Sequence, residues 1–218
     1  MIQNIDKDLV VFNGNKMNNN AYMLINNKRC VIIDPSSYAQ AIKDYVNKYE
    51  LTIDGILLTH GHYDHIETIN DLIKEFKAKV YCHQDDEVVV NKHNCIELIT
   101  NIKWSPLTEY FSYFKREELK LSNFKFEVFL TPGHTSGSVC YRYHHYFFTG
   151  DTIFYDSIGR WDLPTGDQNK LFNSIKRFTH IAKADDLILP GHGLQYITYN
   201  ELKTKNFYII HFSGVTND

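Results

Sequence analysis

Four apolar runs, each breaking into a glycine- or proline-marked turn that carries histidine or aspartate, constrain this chain more than any other feature. They are GILLTHGHYDH (55–65), VFLTPGHTSGS (128–138), YFFTGD (146–151) and LILPGHG (187–193). A short apolar run bounded by Gly or Pro reads as a buried strand. In a sheet-based fold, residues just past the carboxyl ends of neighbouring strands converge on one rim, where sites are commonly built. Chance does not place a His or Asp at equivalent points of four separate strand-turn units. The pattern predicts a sheet protein with one polar site on its rim.

The remaining chain fits such a fold. LVVFN (9–13), AYMLIN (21–26) and CVIID (30–34) read as antiparallel hairpins, and the asparagine-rich NGNKMNNN (13–20) between the first two reads as a turn. Tyr38, Ala41, Ile42, Tyr45, Val46 and Tyr49 form one face of an amphipathic helix. Ile66, Ile69, Leu72, Ile73 and Phe76 form another, AKVYCH (78–83) is a strand, and DDEVVV opens a helix. KFEVFL (125–130) and SVCYRY (138–143) continue the strands, a helix follows over 167–182, and a short one over 199–205. Residues 91–123 show no firm period, and their aromatics are expected to wall a pocket or enter the core. No linker divides the chain, so 1–218 is read as one domain.

Within the four turns the side chains are metal-ligand types. His60 and His62 lie two apart, so at an extended strand end both point the same way. Asp64 and His65 begin the next helix, which Asp64 is expected to cap as well. His134, Asp151 and His192 arrive from the other three segments. Seven ligands exceed one tetrahedral zinc and suit two metals a few ångströms apart. Asp151 is then the natural bridge, because its segment offers no other ligand. The first metal would take His60, His62, His134 and Asp151; the second would take Asp64, His65, His192 and Asp151. Zinc is the first expectation, with iron or manganese as alternatives. Any one of these histidines alone would more often be a core or surface residue; the set argues otherwise. His83, His93, His144, His145, His180 and His211 lack the strand-turn setting, and His144-His145 reads as a solvated hairpin tip.

Composition removes several other classes. The net charge of -3 gives no general attraction for nucleic acid or anionic lipid. No apolar run approaches a membrane span, and MIQNIDKDLV lacks a signal-peptide layout, so a cytoplasmic protein is expected. Cys30, Cys82, Cys95 and Cys140 form no C-x-x-C pair, which argues against a zinc ribbon or a disulfide framework.

THGHYDH, TPGHTSGS, TGD and PGHG, in this order and spacing, resemble the signature of the metallo-β-lactamase-fold hydrolases over nearly the whole chain. SIGRWDLP (157–164) narrows the resemblance to the small bacterial branch similar to glyoxalase II, the hydroxyacylglutathione hydrolases. The resemblance implies an α/β (α+β) fold, a four-layer αββα sandwich. The chain departs from the family at Glu67-Thr68, where a Gly-rich step is usual, and at Ser36, where Gly often follows I-D-P. True β-lactamases often carry a Cys ligand at the position of Asp151, so antibiotic hydrolysis is not expected as the main role.

The chemistry expected is hydrolysis of an ester or thioester by a metal-bridging hydroxide, since two cations lower the pKa of bound water toward ~7. Asp64 would orient that hydroxide, and no G-x-S-x-G nucleophile motif occurs. Asp34 is expected to hydrogen-bond a ligand histidine. Tyr63 would line the mouth of the site, and Arg160 with Asp162 would fix a loop or, less readily, touch substrate. Only Leu194 to Asp218 follow the last motif, where full-length glyoxalase II has a helical domain building much of its glutathione pocket. A small acyl (thio)ester with weak recognition of glutathione is therefore expected. The alternative is an oxidoreductase like the persulfide dioxygenases, which use one iron. A nuclease reading fails on charge and length.

Overall fold

A computed structural model describes residues 1–95 and 104–213. Among these residues thirteen strands form two sheets. The first is ordered β1 to β7: β1 (Ile2–Asn4), β2 (Leu9–Phe12), β3 (Ala21–Asn26), β4 (Arg29–Ile33), β5 (Thr52–Leu57), β6 (Val80–His83) and β7 (Phe111–Phe114). The second is ordered β13-β12-β11-β10-β9-β8: β8 (Glu118–Leu121), β9 (Phe124–Leu130), β10 (Val139–Tyr143), β11 (Tyr146–Gly150), β12 (Leu187–Pro190) and β13 (Ile197–Thr198). Helices α1 (Ala39–Tyr49), α2 (Tyr63–Ile66), α3 (Ile69–Phe76) and α4 (Glu87–Lys92) lie in the first half. The second half carries α5 (Gln168–Ile181), α6 (Tyr199–Lys205) and α7 (Phe207–Ser213).

The period of two along each strand builds the layers. In β2 and β4, Val10, Phe12, Cys30 and Ile32 face one way and pack with Ile42, Val46, Leu72 and Ile73 of α1 and α3. Leu9, Val11, Val31 and Ile33 face the other way, onto Phe126, Val128, Tyr141 and Phe148 of the second sheet. Beyond that sheet Cys140, Phe147 and Ile188 pack on Leu171, Ile175 and Phe178 of α5. Three apolar layers thus separate four structural ones, helix-sheet-sheet-helix. Strands covered on both faces read as continuous apolar runs, which is why β2, β4 and β11 were legible without alternation.

β3 and α6 fall where the sequence places them. The helix expected to run through Ile66 to Phe76 is broken at Glu67-Thr68 into α2 and α3, with Thr68 Oγ1 donating to Ser36 O (2.7 Å). In the stretch without a period, β7 pairs parallel to β6 and β8 antiparallel to β9; residues 96–103 lie outside the described residues. β7 is FSYF, three of its four residues half-buried at a sheet edge, so neither strand template fits it. No described helix is long and apolar enough to cross a membrane.

Candidate metal centre

The strand directions explain why the four turns meet. β4 and β5 are parallel, so Asp34 and the 58–65 turn leave on the same side. β9 and β11 are each antiparallel to β10, and β12 is parallel to β11. Hence His134, Asp151 and His192 all follow strands that run the same way. All seven side chains come together at this rim.

They form two groups. His62 Nδ1 lies 2.9 Å and His60 Nε2 3.3 Å from His134 Nε2. Asp64, His65 and His192 form the second, with His192 Nε2 3.2 Å from Asp64 Oδ2 and 3.3 Å from His65 Nε2. In each group the ligand atoms lie within 4.8 Å of one another. Asp151 stands between them: Oδ2 is 3.5 Å from His134 Nε2 and 3.4 Å from His192 Nε2, while Oδ1 is 3.3 Å from His65 Nε2. Gly191 makes this approach possible, since a Cβ there would fall on Asp151 Oδ1 and lie 2.8 Å from His65 Cε1.

Outer hydrogen bonds decide which ring nitrogen faces inward. A carbonyl can only accept, so His134 Nδ1 donates to Arg160 O (2.7 Å) and His192 Nδ1 donates to Met17 O (2.9 Å). His65 Nδ1 lies 3.0 Å from Asp34 Oδ2 and donates to it. Thr59 Oγ1 gives its proton to Asp34 Oδ2 (2.6 Å), so it accepts from His60 Nδ1 (3.1 Å). Four imidazoles therefore aim Nε2 at the centre. His62 is the exception: it turns Nδ1 toward His134 and leaves Nε2 buried without a hydrogen-bond partner among the described residues. Asp34 also accepts from Thr59 N (2.8 Å), so its oxygens are engaged in holding His65 and the turn.

Electrostatics separate the two groups. Burial pushes His60 and His134 below the ordinary imidazole range, and burial with the neighbouring His134 takes His62 to about 3. These three rings are neutral lone-pair donors at pH 7. Burial also acts to lower His65 and His192, but carboxylates outweigh it. Asp151, Asp64 and Asp34 raise His65 well above its ordinary value, and Asp151 with Asp64 raises His192 to about 10. Burial would raise Asp64 and Asp151, yet His65 and His192 hold both below the usual carboxylate range. Protons on His65 and His192 thus balance charge that a cation would otherwise balance, and metal binding would displace them. Imidazoles and carboxylates together suit zinc or iron. Asp151 Oδ1, buried without a hydrogen-bond partner among the described residues, is a further mark that the residues fit divalent ions.

Other expected residues fall less centrally. Asp64 does not cap α2: the N-cap is His62, without a side-chain bond, and Asp64 sits in the first turn. Its Oδ2 instead accepts from Asn19 Nδ2 (3.0 Å), which draws the carboxylate off the helix end. Tyr63 is buried and packs edge-on to Trp104, ring centroids 5.2 Å apart. Arg160 and Asp162 pair with each other through two bonds of 2.7 and 2.8 Å, both exposed, while the main chain of Arg160 holds His134. His144 and His145 sit exposed at the β10–β11 hairpin tip. Sequence reasoning passed over Asn19 and Asp86. Asp86, fully buried, accepts from Gly61 N (2.6 Å) through Oδ2 and from Gly137 N (2.9 Å) through Oδ1, joining two ligand-bearing loops. In sequence one stands in a turn-like run and the other at a helix start, and neither place carries a signal.

The metallo-beta-lactamase superfamily model matches residues 14–192, which include the whole site. Hydroxyacylglutathione hydrolase GloC of Haemophilus influenzae is 31% identical over 82% of this chain and 86% of that protein. Among solved structures, the BLEG-1 B3 metallo-beta-lactamase is 30% identical with a TM-score of 0.84, covering 92% of this chain and 99% of that one. TTHA1623, solved in a di-iron-bound form, is 26% identical with a TM-score of 0.80, covering 91% and 98%. With the helix-sheet-sheet-helix layers and the rim of histidines and aspartates, this match shows that the chain belongs to the metallo-beta-lactamase superfamily of metallo-hydrolases.

Proposed function

We propose that this protein is a dinuclear metal-dependent hydrolase of thioesters, resembling glyoxalase II in chemistry. One observation carries the reading: the outer hydrogen bonds of four histidines turn Nε2 toward a space that Asp151 divides into two groups. Two divalent ions held by His60, His62, His134 and Asp151, and by Asp64, His65, His192 and Asp151, would supply a hydroxide from water near neutral pH, ~7. Asp34 and Thr59 keep His65 and His60 oriented, Arg160 O keeps His134 oriented, and Met17 O does so for His192. Asp64, in the second group with His65 and His192, would align the attacking water. The name of GloC supports an acyl ester of a thiol as substrate, and the di-iron form of TTHA1623 supports two ions with iron as an alternative to zinc.

Arg160 spends its charge on Asp162 and so offers little to the carboxylates of glutathione. The specificity constant for S-lactoylglutathione is expected to lie within about tenfold, or ~1.4 kcal/mol, of that for a simple lactoyl thioester. The test is metal analysis of protein purified with added metal, beside a panel of these thioesters and a β-lactam. Two ions per chain and thioester turnover above β-lactam turnover are expected. A single iron, with oxygen uptake on a persulfide and no thioester hydrolysis, would replace this reading by a dioxygenase.

A further inference from the structure

The asparagine-rich segment 13–20 does more than turn the chain, because it wraps the loop that carries His192. Asn20 N donates to Gly191 O (2.7 Å), Gly193 N to Asn18 O (2.9 Å), and Asn20 Nδ2 to Pro190 O (3.1 Å). Met17 O takes the Nδ1 proton of His192. From the same segment the buried Asn19 reaches Asp64, so both non-bridging ligands of the second group that come from outside His65 are held by one short stretch.

Which atom Asn19 presents to Asp64 follows from a chain of polarity. Asn15 Oδ1 accepts from Asn19 N (2.9 Å) and Met17 N (3.2 Å), and backbone N–H groups can only donate. The other end of that amide, Asn15 Nδ2, is therefore the donor, and it gives to Asn19 Oδ1 (3.0 Å) and to Ser37 Oγ (3.0 Å). With Oδ1 accepting, Asn19 must aim Nδ2 at Asp64 Oδ2. Two amide orientations that are otherwise free to flip are thus set by two backbone donors. Tyr38 Oη, donating to Asn19 O (2.9 Å), fixes the backbone beneath.

Resting on the dinuclear reading above, we infer that Asn15 and Asn19 are positioning residues that hold the Asp64 carboxylate in its orientation for the second metal ion. A hydrogen bond to one lone pair of Oδ2 leaves the remaining lone pairs of the carboxylate for the ion. Asn19 Nδ2 also lies 3.4 Å from His192 Nε2, and among the described residues it has no hydrogen bond to a first-group ligand, so its effect is expected chiefly at the second ion.

The test is stepwise titration of the metal-stripped chain with cobalt(II), followed by visible absorption and calorimetry, on wild type, Asn19→Ala and Asn15→Asp. Asn15→Asp keeps the acceptor for Met17 N and Asn19 N but loses the donor, so Asn19 is released to rotate without loss of the turn. Both variants are expected to weaken the second cobalt by about 10- to 100-fold, a usual loss for an outer partner of a metal ligand, with the first unchanged. Thermal unfolding of the metal-stripped proteins checks that the fold persists. If wild type binds two ions and both variants bind the second as tightly, or lose both ions equally, the positioning role is wrong and the dinuclear reading stands. If wild type binds one ion, the dinuclear reading falls and this inference with it.

Discussion

Asp151→Ala is expected to abolish binding of both ions and to lower the thioester specificity constant by about 10³-fold or more, because hydroxide at neutral pH depends on the cations. The expectation comes from geometry: Oδ2 faces His134 of one group and His192 of the other, and Oδ1 faces His65. A neighbouring water cannot replace a buried carboxylate that balances two cations. His60→Ala should match it in activity by dismantling the first group. His192→Ala should be milder in metal content, losing the second ion and keeping the first. His144→Ala, at the exposed hairpin tip, should change neither metal content nor rate. Elemental analysis and steady-state kinetics on the four variants, with circular dichroism as a check on folding, decide the matter. Retained hydrolysis in Asp151→Ala, or equal losses in His144→Ala, would mean that the ligand assignment is wrong.

Apolar runs and helical spacing made most of this fold legible, for a physical reason. A strand buried on both faces, such as β2, has no room for polar residues, so composition alone declares it. β1, fully exposed with the sequence IQN, has no such pressure on it, and β13, with Ile197 buried, is only two residues long and too short to show a pattern. The rim histidines and aspartates were legible because strand ends mark them. Asp34 could be anticipated as a partner for a histidine, but its second task, holding Thr59, depends on the register between β4 and β5. Asn19 and Asp86 could not be anticipated. Asn in a loop and Asp before a helix are what local backbone chemistry prefers anyway, so their tertiary bonds leave no trace in the pattern. Asp64 shows the converse error: its position suggested a cap, and the site claimed the side chain instead.

Asp86 carries the largest expected effect on stability. Its carboxylate bridges the 60–65 turn to the 131–138 turn through Gly61 N and Gly137 N, and Gly137 lies so close that a Cβ there would be 2.7 Å from Asp86 Cβ. Burial raises its pKa from 3.8 to about 6, against the bonds from Thr135, Gly137 and Gly61 that favour the ionised form. A shift of about two units corresponds to ~3 kcal/mol. Between pH ~4 and ~6 the folded chain holds this proton more tightly than the unfolded one, so Asp86 makes stability fall as pH rises through that window and level off above it. Asn at this position cannot titrate, and its amide turns a donor toward one of the two N–H groups, which costs about 1–3 kcal/mol at any pH. The destabilisation of metal-stripped Asp86→Asn relative to metal-stripped wild type should therefore shrink as pH rises, by about 2 kcal/mol between pH ~4.5 and ~7.5. Taking the difference cancels the titration of the metal ligands common to both chains. Urea unfolding at a series of pH values measures it. A difference that grows with pH would show that the three hydrogen bonds outweigh burial, and that Asp86 stabilises the junction of the two loops most strongly as an anion.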